Sequence, residues 1–158
     1  RQRARGLGFV RRAAEHKHIE ITTGGAAHGD SGFFFKPTVV AGALQSDEIV
    51  RREVFGPVVS VTRFSELDEA VDWANDSDYG LSVGILSRDV RAALAMGNEL
   101  RTGLLQINDQ TIVSGGQIPF GGRGCSGNGS RIGGPANWEE FTQWQWVAIN
   151  GQAPSYPF

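Results

Sequence analysis

The chain has 158 residues, with 15 Lys and Arg against 17 Asp and Glu, 40% hydrophobic residues and a single Cys. A chain of this length buries roughly 68–70% of the surface its unfolded form exposes, enough for a core without covalent staples; one Cys excludes an intramolecular disulfide and fits a reducing, cytoplasmic compartment. A net charge of −2 gives no global basic field for a nucleic-acid backbone, and no apolar run reaches the roughly 18 residues of a membrane-spanning helix.

Arg1 to Arg5 is basic but leads into Gly6-Leu7-Gly8-Phe9-Val10 and more charge, which is not a signal-peptide pattern. The chain does not begin with Met, as expected of a segment cut from a longer protein. Leu7, Phe9, Val10, Ala13 and Ala14 recur mostly at three- and four-residue spacing, predicting a helix over 2–18. Ile19 to Thr23 alternates and stops at Gly24-Gly25, predicting a short strand. Residues 32–40 form a second extended stretch in which Pro37 argues for an edge or a strand start. Ser46-Asp47-Glu48 predicts a cap on a short helix reaching about Arg52.

Beyond Gly56-Pro57 the β-branched run 58–64 predicts a strand, and Ser65 with Asp68 resembles a capping box opening a helix to about Asn75. Strand and helix then alternate again: strand over 81–86, helix over 87–100 with Arg88 and Asp89 near its start, strand over 103–107. Strands separated by helices predict an α/β fold with an open, mostly parallel sheet and flanking helices, which binds ligands beyond the carboxyl ends of its strands. Residues 108–135 are rich in Gly, Ser, Gln and Asn, and a loop this long is usually functional or disordered. A helical turn over 137–140 and a last strand over 141–149, with Trp144 and Trp146 on one face, complete the pattern.

Several residues invite chemistry. Glu53 and Phe55 fall on a turn entering a strand, where a carboxylate can accept two ribose hydroxyls and a phenyl face can pack on the sugar. On spacing alone the default is a solvated Glu and a core Phe beside a Gly-Pro turn, and spacing alone would not make this a cofactor site. The glycines at 121–129 lack the Lys-Ser/Thr and the strand–loop–helix context of a phosphate cradle. Cys125 has no His near it in sequence, so it reads as a structural or exposed thiol rather than a nucleophile. His16 and His18, two apart, should point to different sides of a helix, with His28 in a separate loop, so no metal site is predicted. Asp68, Glu69 and Asp72 read as a solvated helix face rather than an acid–base pair.

Taken in order, Thr23-Gly24-Gly25, Gly32-Phe33-Phe34-Phe35-Lys36-Pro37-Thr38-Val39, Arg52-Glu53-Val54-Phe55-Gly56-Pro57-Val58, Ala74-Asn75-Asp76-Ser77-Asp78-Tyr79-Gly80-Leu81, Ser87-Arg88-Asp89, Gly103-Leu104-Leu105-Gln106-Ile107-Asn108 and Pro119-Phe120-Gly121-Gly122 with Ser126-Gly127 resemble the C-terminal part of the aldehyde dehydrogenase superfamily. Ile107-Asn108-Asp109-Gln110-Thr111-Ile112, Gly133-Gly134-Pro135-Ala136-Asn137 and the Trp-bearing tail look most like its branch acting on aromatic aldehydes such as benzaldehyde, vanillin or salicylaldehyde. The resemblance implies that Glu53 and Phe55 hold the nicotinamide ribose of NAD or NADP. It implies that Phe120, with Val113 and Ser114, lines an aldehyde tunnel, and that the last strand joins a neighbouring subunit in a homo-oligomer, a dimer or tetramer. The expected division is 1–136 for a partial catalytic domain and 137–158 for an oligomerisation segment. In the family a Cys thiolate attacks the aldehyde, hydride passes to the dinucleotide and the thioester is hydrolysed. The nucleophilic Cys and general base of that scheme have no counterpart in this sequence, so the chain alone is expected to be inactive. Two alternatives remain: a non-enzymatic α/β interaction or oligomerisation module, and a mononucleotide-binding domain, the latter disfavoured by the missing phosphate loop.

Overall fold

In the first helix, α1 (Gln2–Ala13), Phe9, Val10 and Ala13 turn into the core, while Arg11 and Arg12 occupy the last turn, where positive charge suits the carbonyl end of a helix. The helix stops at Ala13 rather than at the expected residue 18. The His16 N–H donates to the Ala13 carbonyl at 3.1 Å and the Ile19 N–H to the His16 carbonyl at 3.1 Å, a pair of tight turns that delivers Ile19 and Ile21 to the core. This computed structural model describes residues 1–112 and 115–155, gathered into two compact units: Arg1–Asp78 with Asp89–Arg101, and Tyr79–Arg88 with Thr102 onward.

The first unit is built round β2 (Thr38–Ala41), which pairs antiparallel with β1 (Glu20–Thr23) and parallel with β3 (Val58–Val61). The extended stretch expected over 32–40 becomes a strand only at Thr38, after Pro37, which has no N–H for a ladder. Ahead of it, Ala27 and Phe35 form an isolated bridge. Val40 is fully buried among Phe9, Ala13, Ala43, Ile49 and Val54. The short helix α2 (Glu48–Arg51) links β2 to β3 and is tied to α1 by the Arg12 guanidinium, which donates to both Glu48 carboxylate oxygens at 2.7 and 3.2 Å. Those hydrogen bonds hold the Glu48 carboxyl below its ordinary range.

Two helices complete this unit, α3 (Leu67–Asn75) and α4 (Val90–Glu99). The capping box expected between Ser65 and Asp68 does not form. The N-cap is Glu66 without a side-chain bond, and the Ser65 N–H donates instead to the Glu69 carboxylate at 3.1 Å. Helix α4 starts at Val90 rather than at the expected residue 87, and the Asp89 carboxylate caps it by accepting from the Arg91 and Ala92 amides at 2.9 and 3.0 Å. Asn75 joins the C-terminal ends of the two helices, donating to the Glu99 carbonyl at 2.9 Å and accepting from the Arg101 N–H at 2.7 Å.

The second unit contains β4 (Tyr79–Gly80), β5 (Ser82–Ile85), β6 (Leu104–Ile107), β7 (Arg123–Gly124) and α5 (Ala136–Phe141). The strand expected over 81–86 is β5, which runs parallel to β6 with Ser82 opposite Leu104 and Ile85 opposite Ile107, and the separate β4 that precedes it pairs antiparallel with β7. Asn108, at φ 59, closes the end of that pair: its side-chain oxygen accepts from the Ser87 N–H at 2.8 Å and its own N–H reaches the Ile85 carbonyl at 2.8 Å. The fold is thus α/β, with parallel pairing at β2–β3 and β5–β6 and antiparallel pairing at β1–β2 and β4–β7, divided among three small sheets in the described residues.

The last expected strand, over 141–149, is absent as a strand: α5 runs through Phe141, and residues 142–150 have no ladder partner among the described residues. A strand needs a neighbour to take its backbone hydrogen bonds, and Trp144 and Trp146 remain 94% and 91% exposed. Among the described residues no helix is long and apolar enough to cross a membrane.

Candidate functional site

The turn between α2 and β3 is fixed from inside and from behind. Val54 is buried in the core, and the Pro57 carbonyl accepts from the Thr38 N–H at 2.9 Å. Gln2 of α1 donates from Nε2 to the Val54 carbonyl at 3.0 Å and to the Phe55 carbonyl; Arg5 donates from Nη1 to the Val54 carbonyl at 3.2 Å and from Nη2 to the Glu53 carbonyl at 2.7 Å. Three successive carbonyls are therefore held by two side chains some fifty residues away in sequence.

The result is that Phe55 takes a left-handed backbone, φ 55, and points a ring that is 72% exposed to solvent. A bulky residue persists in that region only when its surroundings over-determine it, and such strain gathers where a side chain must be presented. Glu53 is exposed two residues before it. A carboxylate acceptor and an aromatic face on one rigid turn suit a sugar with two hydroxyls and a flat ring beside it. Next to the turn a cavity of about 430 Å³ lies between Gln2, Arg3, Gly6, Phe33, Phe34 and Pro57. Glu53 and Phe55 were legible as a pair in the sequence; Gln2 and Arg5 carried no local signal, because their partners are distant carbonyls.

In the second unit Phe120 forms an antiparallel bridge with Ile132, with N–H to carbonyl distances of 2.7 and 2.9 Å. It borders a cavity of about 530 Å³ with Ile118, Ile132, Asn137, Gly115, Gly116 and Gly133. The wall is apolar apart from Asn137, whose side-chain oxygen accepts from the Gly133 N–H at 2.7 Å. Gly133 is required there: its φ is 106, and a Cβ would stand 2.3 Å from the Ile118 carbonyl oxygen. A pocket of this kind takes an apolar body with few polar groups. Val113 and Ser114, also expected on this wall, lie outside the described residues.

Elsewhere, Cys125 is exposed, and Asp68 and Asp72 are exposed on α3 while Glu69 is half-buried. The histidines depart from the sequence expectation. Because α1 ends early, the turn over 14–18 brings the His16 and His18 rings to 5.3 Å between centroids instead of opposing them. His18 Nε2 lies 2.9 Å from the carboxylate of buried Asp47, which also accepts from the Leu44 N–H at 2.8 Å. Burial pushes the Asp47 carboxyl up, but the His18 hydrogen bond, the Leu44 amide and the charges of His18 and His16 outweigh it and hold the carboxyl below its ordinary range. Asp47, placed at the N-cap of α2, thus spends its oxygen on His18 and Leu44 rather than on the helix it precedes.

The profile described as the Aldehyde dehydrogenase family matches residues 1–147. The chain is 48% identical over 126 residues to a vanillin dehydrogenase of Amycolatopsis sp., covering 79% of this chain and 26% of that protein. It is 42% identical over 125 residues to a benzaldehyde dehydrogenase [NAD(+)] of Pseudomonas putida, again covering 79% of this chain and 26% of that one. Among solved structures it superposes on a salicylaldehyde dehydrogenase of Pseudomonas putida G7, complexed with salicylaldehyde, with a TM-score of 0.87 and 33% identity over 99% of this chain and 31% of the other. The chain therefore spans about a quarter to a third of the length of these relatives.

Proposed function

The chain belongs to the aldehyde dehydrogenase family, and from that membership we propose that it supplies the cofactor and substrate walls of an enzyme oxidising an aromatic aldehyde to its carboxylate with NAD or NADP. Glu53 accepts the two hydroxyls of the nicotinamide ribose and Phe55 packs beside the same sugar. Phe120, with Val113 and Ser114, lines the aldehyde tunnel, and residues 137–158 pair with a second subunit of a homo-oligomer. The dinucleotide, when bound, is the hydride acceptor; the residues of this chain orient it and exclude water. The nucleophile and general base come from outside these residues, so the 158-residue chain alone reduces no dinucleotide. A reducing compartment, the cytoplasm, suits an exposed Cys125 thiol.

The observation that carries this reading is the turn at Glu53 and Phe55, with an exposed aromatic residue held at φ 55 by side chains of α1. The relatives named for vanillin, benzaldehyde and salicylaldehyde support an aromatic substrate, and the benzaldehyde enzyme named for NAD(+) supports that cofactor. A chimaera tests both: this chain replaces the matching segment of the Amycolatopsis vanillin dehydrogenase, and reduction of NAD or NADP is followed with each aldehyde. The chimaera is expected to turn over and the 158-residue chain to be silent. Glu53→Gln should raise KM for the dinucleotide roughly tenfold or more, since hydrogen bonds to a charged group contribute about 1.5–3 kcal/mol. An unchanged KM in a folded, active chimaera removes Glu53 from the cofactor site. Dinucleotide reduction by the isolated chain overturns its predicted inactivity.

A further inference from the structure

We propose that His16, His18 and Asp47 form a binding site for one divalent transition-metal cation of the zinc class, clamping the turn after α1 to the turn before α2. One ring nitrogen from each histidine and one Asp47 oxygen lie within 4.8 Å of one another. A tetrahedral zinc with bonds of about 2.0–2.1 Å places its ligand atoms about 3.3 Å apart. The His18–Asp47 edge is already at 2.9 Å, so the remaining adjustment falls on His16, an exposed side chain able to swing inward.

Three features of the surroundings favour a cation over a mere ion pair. Asp47 is 7% exposed, and a desolvated carboxylate gains more from a cation than a solvated one does. Its oxygen is oriented by the Leu44 N–H at 2.8 Å, the kind of outer support that fixes a metal-bound carboxylate. The two rings lie 5.3 Å apart between centroids at 47° and belong to exposed residues, so that solvent can add a fourth ligand to the three from the protein. Two imidazoles and one carboxylate suit zinc, cobalt, nickel or copper; magnesium and calcium prefer all-oxygen sites. Binding exchanges the proton between His18 and Asp47 for the metal and closes the stretch of chain between positions 29 residues apart.

Zinc chloride titrated into the 158-residue chain by calorimetry tests this, with Cys125→Ser throughout to remove the one thiol. The expected result is one zinc per chain, a rise in thermal midpoint, and tetrahedral absorption bands when cobalt replaces zinc. His16→Ala should weaken binding tenfold or more and abolish the midpoint shift. It removes an exposed side chain and leaves the backbone hydrogen bonds to Ala13 and from Ile19 in place. His28→Ala should change nothing. Absence of saturable binding, or binding that survives His16→Ala, overturns the proposal. If the chain alone aggregates, the same pair of titrations on the chimaeric enzyme decides it.

Discussion

At the turn over 53–58 the carbonyls of Glu53, Val54 and Phe55 are gripped by the side chains of Gln2 and Arg5, whereas around Phe120 backbone meets backbone. The Phe120 and Ile132 main chains bond each other, Gly133 lies under the Ile118 carbonyl, and Gly103 lies under Gly121. The first arrangement specifies position through donors that can be removed one at a time; the second, beside the bonds made by Asn137 and Arg131, specifies it where side chains are absent. The first should therefore fail by loss of polar groups, and the second by the gain of a single carbon.

The largest expected effect comes from adding that carbon. A Cβ on Gly103 would stand 1.8 Å from the Gly121 carbonyl oxygen and 2.8 Å from its carbon, so the backbone itself must move. Gly103→Ala should cost about 3 kcal/mol, at the upper end of overpacking penalties. The control is Gly6→Ala in α1, where nothing lies within 4 Å of the added atom and helix propensity should add up to about 1 kcal/mol. Urea unfolding of the two variants gives opposite signs if close backbone approach decides the outcome; a neutral Gly103→Ala breaks the comparison.

Next in size is the polar tie of the first unit that titrates. The Asp47 carboxyl is held below its ordinary range, so its tie to His18 and Leu44 stabilises the fold fully above the ordinary aspartate pKa and is lost as pH falls through the depressed one. Asp47→Asn, which keeps the shape, should cost about 1.5 kcal/mol near neutral pH. The gap to the parent should close only as pH is lowered below the ordinary aspartate range. A gap that stays constant with pH in thermal unfolding would assign the loss to packing rather than charge. The Gly103 contact involves backbone alone, and Gly103→Ala should show no such dependence.

Arg5→Met keeps an aliphatic stem but removes the guanidinium, and with it both the donors to Glu53 and Val54 and the cation 5.2 Å from the Phe9 ring centroid. These groups are partly solvated, so the loss should be about 1 kcal/mol, seen in the chimaera as a roughly fivefold rise in KM for the dinucleotide. An unchanged KM would show that Gln2 alone holds the turn.

These tests also mark where the sequence was readable. The helix near Asp89 was legible to within three residues, although the cap itself, a carboxylate bonded to amides two and three residues on, was not singled out. The box at Ser65 was misread because Glu69, one position beyond the expected Asp68, takes the bond. The parallel pairs β2–β3 and β5–β6 followed from alternation, but the final strand did not form, since periodicity shows a face and not its partner. Glu53, Phe55 and Phe120 were singled out through motif order. Gln2 and Arg5 were invisible because nothing local distinguishes a helical Gln or Arg that bonds carbonyls some fifty residues away. The convergence of His16 and His18 was lost with the assumption of a helix through residue 18; tertiary demand for Ile19 and Ile21 in the core ended it at Ala13.

The smallest expected effect is the most discriminating. Phe55 carries a left-handed backbone costing about 1–2 kcal/mol for a residue with a side chain, and at 72% exposure its ring returns little packing. Glycine relieves that strain but carries about 0.5–1 kcal/mol of extra unfolded-state entropy. Phe55→Gly should therefore stabilise the chain slightly, by about 0.5 kcal/mol, while raising KM for the dinucleotide in the chimaera. That pairing of gained stability with lost binding is the mark of a residue kept for what it presents. If instead both stability and binding fall, the ring is packing against its own fold, and the turn over 53–58 is held as much by Phe55 as by Gln2 and Arg5.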